Sequence, residues 1–332
     1  MTSSQQPPDN QHDSPQNDSP MDSFDLIHPV AIDLESIAAG AAQRSHLIDL
    51  SPLSLIRVSG DDAQSFLQGQ FSNDINMLDK NHCQLHAYCN PKGRTLAIIR
   101  LVRKDQGFWM IVPKDISESL IARLKMFVLR AKVDIQLDDE YTLLGTAGEA
   151  RHDEFGGVSY RVDSVVARHL IIAPSKNIAA HAHGSPLHHC DLWRWLDIRS
   201  GIPQVYAQTA GAFIPQTINL ELVDGVSFSK GCFPGQEIVA RIKYLGKPKQ
   251  RLVIAKVESS HDIAPGDEIY SAAQSGQKSG LVVDAVKTGN SQFQLSAMVP
   301  ATMVESGDLM LGSAAGPKLQ RIGLPYDINL EQ

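Results

Sequence analysis

The sequence predicts an α+β protein that ends in a small β-barrel or sandwich, and three observations carry that prediction. Apolar residues at helical spacing occur only in short stretches before residue 250. Strand-like apolar runs bounded by Gly and Pro turns lie between those stretches. From Arg251 onward only short strands remain, separated by Pro-Gly, Ser-Gly and Thr-Gly turns. The chain is thereby divided into a tail (1–24), a mixed α+β region (25–250) and a C-terminal barrel (251–332).

The tail is dominated by Ser, Gln, Asn, Asp and Pro and has the composition of a disordered segment. A short helix is expected around Leu34 to Ala42. Branched apolar residues from Leu47 to Val58 then read as one strand, closed by the turn Ser59-Gly60-Asp61-Asp62. Asp61 to Leu67 reads as a helix whose acidic first turn suits the positive end of its dipole, and Gln68-Gly69-Gln70 stops it. His86-Ala87-Tyr88-Cys89 and Thr95 to Val102 form a hairpin about Asn90-Pro91-Lys92-Gly93. A strand from Phe108 to Val112 follows. Asp115 and Glu118 have the spacing of a capping box, and Leu120, Ile121, Leu124 and Val128 carry a helix to Ala131. Tyr141 to Leu144 and Val165 to Ile172 are strands around a charged, Gly-rich loop. A further helix covers Cys190 to Ser200, with Trp193, Leu196 and Asp197 on one face.

With 332 residues, 42% of them hydrophobic, the chain can bury a large core. No stretch approaches the roughly 20 apolar residues of a membrane span, and the N-terminus lacks the basic start and apolar run of a secretory signal. Four cysteines in a chain of this length fit a reducing compartment, so a cytoplasmic location is expected. A net charge of −7 argues against indiscriminate nucleic-acid binding.

The most informative segment is Lys230-Gly231-Cys232-Phe233-Pro234-Gly235-Gln236-Glu237. Gly231 and Gly235 allow close approach to the sulfur, and a neighbouring ammonium from Lys230 would favour the thiolate, the form that attacks electrophiles or binds metal. A lone cysteine is most often a small buried hydrophobe; this setting instead marks Cys232 as reactive. Glu237 has three roles open to it: accepting backbone N–H bonds that orient the loop, accepting a proton, or pairing with Arg241. The segment from Ala240 to Arg251 carries five cations and no acid, with Gly246 and Pro248 at the expected tip of a hairpin. It is either a solvated basic hairpin or a weak contact for tRNA or an acidic protein.

His181, His183, His188, His189 and Cys190 lack the spacing of a closed zinc site, and a histidine-rich loop is the expected reading, with no metal site. Cys83 and Cys89 read as core. With only Cys232 in a reactive setting, the chain does not offer the four thiolates of a stable iron-sulfur cluster. No phosphate loop or dinucleotide fingerprint is present.

The order Gly60-Asp61-Asp62, Gln68-Gly69-Gln70, Asn90-Pro91-Lys92-Gly93-Arg94, Gly201-Ile202-Pro203, Phe213-Ile214-Pro215-Gln216 and the Cys232 octet resembles the YgfZ family, from about residue 45 to Pro325-Tyr326. The resemblance implies a ring of three domains related to the T protein of the glycine cleavage system, with two interwoven α+β domains around a tetrahydrofolate pocket. It also implies a monomeric accessory protein, without turnover of its own, that supports iron-sulfur enzymes or their assembly proteins and thereby tRNA modification. By position, the family's essential cysteine matches Cys232, framed by Lys230, Gln236 and Glu237, and a folate-contacting tryptophan matches Trp193. A second such tryptophan is replaced by Leu53, which loses the aromatic stacking geometry. A folate pocket needs apolar walls, amide or carboxylate partners for the ring and some positive charge. Gln216, Asn219 and Glu221 supply the partners, and Arg199 or Arg241 the charge. Two rivals remain: a folate-dependent one-carbon transferase, against which the octet speaks because T protein does not use it, and a direct tRNA-binding protein acting through 241–251.

Overall fold

The computed structural model describes residues 25–27, 45–105, 107–148, 155–181, 186–271, 277–305 and 308–328. The helix expected at Leu34 to Ala42 and the tail lie outside them, as do residues 149–154 of the charged loop and 182–185 of the histidine-rich connection, His183 included.

One sheet is wholly antiparallel, in the order β4 (Gln84–Cys89), β5 (Thr95–Lys104), β6 (Gly107–Pro113), β3 (Leu53–Ser59) and β7 (Asp134–Leu137). A second runs β1 (Asp25–Ile27), β11 (Pro186–His188), β2 (His46–Asp49), β8 (Tyr141–Ala147), β10 (Arg168–Pro174) and β9 (Val158–Val162). The strand expected over Leu47 to Val58 is therefore two strands in two different sheets. Asp49 makes the break: its carboxylate accepts the Ser51 N–H at 2.7 Å and the Ser51 hydroxyl at 3.0 Å, and Pro52, which has no N–H, follows. Branched residues on both sides of this corner hide it in the sequence, because either half is a good strand.

Five helices are described. α1 (Ala63–Gln70) starts two residues later than expected, because the Asp62 carboxylate accepts the backbone N–H of Lys132 at 2.7 Å. α2 (Lys114–Val128) buries Leu120 and Leu124 of the expected periodic set, with Ile121 and Val128 partly buried against the same core and Ile116 added to it, but the capping box does not form. Pro113 occupies the N-cap, and the Asp115 carboxylate instead accepts the Ala207 N–H at 2.9 Å. α3 is Ser175–His181, α4 is Cys190–Arg199 and α5 is Gln236–Leu245. The hairpin expected over 241–251 does not form: its first half is the end of α5, and β12 begins at Gln250. Gly246 and Pro248 mark the exit from a helix, a task for which the same residues serve.

The third sheet orders β16 (Leu309–Leu311), β13 (Glu268–Ser271), β14 (Lys278–Lys287), β15 (Gln292–Pro300), β12 (Gln250–Glu258) and β17 (Gln320–Ile322). It curls back on itself. Residues 317–319 bond to β16 through Leu311 N to Pro317 O and Leu319 N to Leu309 O, and the same segment continues as β17 beside β12. The barrel expected at the C-terminus is thus present, around a core that includes Val253, Ile269, Leu295 and Val299. Among the described residues no helix is long and apolar enough to cross a membrane.

Candidate functional site

The Cys232 octet is a loop anchored on both sides of its cysteine, with the thiol outside. Phe233 is buried in a core shared with Phe213, Ile218, Val239 and Leu252, whereas Cys232, one position earlier, is exposed. Gly235 has φ +79°, and a Cβ there would stand 2.5 Å from the carbonyl oxygen of Asn90 and 2.7 Å from the Cα of Gly93. Only glycine lets the octet lie this close on the Asn90–Gly93 turn. Two motifs far apart in sequence are thus one packed unit, and Gln236 adds a long bond from Nε2 to the Gly231 carbonyl at 3.4 Å.

Lys230 is placed differently from its expected role. Its ammonium donates to the carbonyls of Gln68 at 2.7 Å, Phe71 at 2.5 Å and Asn73 at 2.8 Å. All three of its hydrogens are thereby spent on the chain leaving α1, and burial pushes its pKa down to about 8. Lys230 fastens the loop. Ser72 reinforces the same seam by donating to the Gly225 carbonyl at 2.6 Å, and its own carbonyl accepts the Ser227 N–H. Glu237 stands exposed in the first turn of α5, where its charge meets the positive end of the helix.

The folate candidates separate into two groups. Trp193 is buried in α4 against Gly145, whose hypothetical Cβ would come within 2.7 Å of the indole. The guanidiniums of Arg168 and Arg100 lie 4.4 Å and 5.8 Å from its ring centroid, and both pair with Asp197 at 2.8 Å and 2.6 Å. Leu53 packs on the same apolar cluster as Trp193, and Arg199 lies over the Trp195 ring at 5.6 Å. Gln216, Asn219 and Glu221 meet elsewhere, around Arg251. Arg251 pairs with Glu221 at 2.6 Å and donates to the Gln216 carbonyl at 3.0 Å. Asn219 Nδ2 donates to the Leu252 carbonyl at 3.1 Å, while the Tyr326 hydroxyl donates to the Gly201 carbonyl at 2.9 Å. Burial raises the Glu221 carboxyl despite its arginine partner. Arg241 is exposed on α5.

A cavity of about 660 Å³ opens where the start of β4, the end of β9, the segment 223–226 and Pro325 converge. Its walls include Leu85, Val162, Val165 and Val226, with Asp163 and Asp224 at its polar edge and Arg100 as its buried cation. Cys232 and the folate candidates are not among its lining residues. Sequence reasoning missed this set because each member is an ordinary side chain in its own segment. Arg100 alone left a trace, as a cation within an otherwise apolar strand.

Cys83 and Cys89 are buried as expected, and burial pushes both thiols up to about 12. His188, His189 and Cys190 are not a loop: His188 ends β11 and His189 caps α4.

No protein-family model matches the chain. It is 32% identical to an uncharacterized protein of Haemophilus influenzae over 86% of this chain and 99% of that one. It is 31% identical to the tRNA-modifying protein YgfZ of Photobacterium profundum over 85% of this chain and 92% of the relative. The protein of the same name from Colwellia psychrerythraea is 28% identical, over 86% and 95%. Among solved structures, the glycine cleavage system aminomethyltransferase T of Bartonella henselae superposes with a TM-score of 0.63 over 88% of each chain, at 14% identity. That likeness is one of fold.

Proposed function

From the premise that this chain belongs to the YgfZ family, we propose that it is a folate-binding accessory protein that supports iron-sulfur enzymes and, through them, tRNA modification, with Cys232 as its reactive group. The observation that carries this reading is the exposed thiol on a loop that Phe233, Gly235 and Lys230 hold from three sides. A nucleophile or transient metal ligand must be accessible, and an immobilised backbone lowers the cost of presenting it. The expected experiment is complementation. Cys232→Ser introduced into a strain lacking the protein leaves iron-sulfur enzyme activity at least about tenfold below that with the wild type, while folding is unchanged because the side chain is exposed. Full restoration by the serine variant would remove the thiol from the mechanism.

Tetrahydrofolate is assigned to the cavity, and the residues present fit it. The volume falls within the usual range for small-molecule pockets, roughly 300–1,000 Å³. Leu85, Val162 and Val226 offer apolar walls to a pterin, Asp163 and Asp224 can accept its N–H groups, and Arg100 carries positive charge for an anionic tail. Bound there, the folate would supply a carrier for one-carbon groups. The chain's own residues bind and orient it. Val165 lines the cavity and is half exposed, so Val165→Trp can fill the space without disturbing the core. Calorimetry is expected to show tetrahydrofolate binding to the wild type and binding at least about tenfold weaker, or lost, in Val165→Trp. Equal affinity of the two proteins would place the ligand elsewhere.

The exposed cations of α5 and the following residues, Arg241, Lys243 and Lys249, lie directly after the Cys232 loop in the chain. We assign them to docking of an acidic partner, which favours an iron-sulfur client over indiscriminate RNA binding given the chain's net charge of −7.

A further inference from the structure

His189, Cys190 and Asp191 straddle the start of α4 and bring their donor atoms together, all within 4.8 Å of one another. The Cys190 sulfur lies 3.7 Å from Nδ1 of His189, and that nitrogen lies 3.1 Å from Oδ2 of Asp191. Metal bonds of zinc type, set at tetrahedral angles, place neighbouring N, O and S donors about 3.3–3.6 Å apart. These two separations bracket this spacing; the sulfur also lies 3.8 Å from Nε2 of His189, so a rotation of the imidazole turns one ring nitrogen toward an ion shared with the other two donors. We propose that they form a binding site for a borderline-soft divalent cation such as zinc, separate from the Cys232 loop and from the cavity.

Two features beyond the donor set support this. The second oxygen of Asp191 is already held, accepting from Arg194 Nη1 at 2.9 Å, and Arg194 is itself fixed by Asp284 at 2.5 Å and the Ala285 carbonyl at 2.7 Å. A ligating carboxylate oriented by an outer hydrogen bond is the usual construction of a metal site. The helix behind the donors is also immobile, since Leu192, Trp193, Trp195 and Leu196 are buried. The imidazole that precedes the triad in the chain, His188, is buried, its Nδ1 without a hydrogen-bond partner among the described residues, while its Nε2 lies 3.1 Å from Nδ1 of His46. Histidine donors are therefore concentrated at this end of α4.

Three protein ligands and partial exposure leave the fourth position to water or to an atom brought by another molecule. Such an open site suits exchange of the ion rather than permanent structural closure. On binding, the Cys190 thiol and the His189 Nδ1, which shares a proton with Asp191 in the empty site, give their protons to solvent, and the sulfur and the freed nitrogen each donate an electron pair to the cation; nothing is oxidised or reduced. Affinity therefore rises with pH.

The test uses the full chain stripped of metal with a chelator and titrated with Co²⁺, then with Zn²⁺. One Co²⁺ per chain is expected, with a thiolate-to-cobalt charge-transfer absorption that Zn²⁺ abolishes. Cys190→Ser removes the absorption, and His189→Ala weakens binding at least about tenfold. Cys232→Ser retains both signals, which separates this site from the other accessible thiol. Circular dichroism checks that each variant remains folded. No absorption at millimolar Co²⁺, or an absorption that survives Cys190→Ser and disappears in Cys232→Ser, would overturn the assignment.

Discussion

Asp197→Asn is expected to cost about 3–5 kcal/mol of folding stability, the usual consequence of removing one partner from a buried ion pair. Asp197 is the shared counter-charge of Arg100 and Arg168, and all three side chains are buried. Without the carboxylate, two guanidiniums remain inside the protein with no opposite charge at hydrogen-bond distance among the described residues. Arg168 cannot swing away. Its Nε donates to the Ser164 hydroxyl at 2.9 Å and its Nη1 to the Trp193 carbonyl at 3.3 Å. The loss should appear as a lower urea midpoint at unchanged slope, since the same surface is exposed on unfolding. The double variant Asp197→Leu/Arg168→Met, which removes charge of both signs, should recover part of it. A change below about 1 kcal/mol in Asp197→Asn would mean that the triad is not a keystone of this core. Because Arg100 also lines the cavity, the same variant should weaken ligand binding, so the two readouts should move together.

Stability is expected to fall as the pH drops below about 6.5, with His86 as a principal cause. His86 is fully buried in β4, neither ring nitrogen has a hydrogen-bond partner among the described residues, and burial together with the nearby Lys230 ammonium pushes its pKa down to about 3. Above the unfolded value of 6.5 the ring is neutral in both states and contributes no pH dependence. Below it the unfolded chain takes up a proton that the folded chain refuses. Stability then declines by about 1.4 kcal/mol per pH unit until the folded value of about 3 is reached. Denaturant titrations at pH 6.5 and 5.0 should show this slope, and His86→Leu should flatten it by the share belonging to this one group. An identical slope in the leucine variant would assign the acid sensitivity to other residues. Phe71, tilted against the imidazole at 5.6 Å, makes an apolar replacement tolerable.

Much of the architecture was legible because hydrophobic period and turn chemistry are local signals. The hairpin about Asn90–Gly93, the buried face of α2 and the strand-only region after Arg251 all follow from residues within a few positions of one another. The corner at Asp49 was invisible for the opposite reason: it separates two equally good half-strands, and only the partners of each half reveal that they belong to different sheets. Lys230 shows the same limit at the site. Adjacency to Cys232 suggested an electrostatic role, but the side chain reaches carbonyls more than 150 residues earlier in the chain. Gln216, Asn219 and Glu221 do cluster, yet their partners are Arg251, Leu252 and Tyr326, residues that no spacing rule connects to them.

The corner at Asp49 has a consequence for how the molecule can come apart. Since the polypeptide leaves one sheet after β2, builds another from β3 to β7, and returns to the first at β8, the second sheet is a continuous insert, Leu53 to Leu137, within a first sheet that is itself split in the chain. Two links tie the insert to its host, the Ser51-Pro52 bend and residues 138–140, so a protease nick in one leaves the two sheets joined through the other, and both must be cut before the insert is a separate piece of chain.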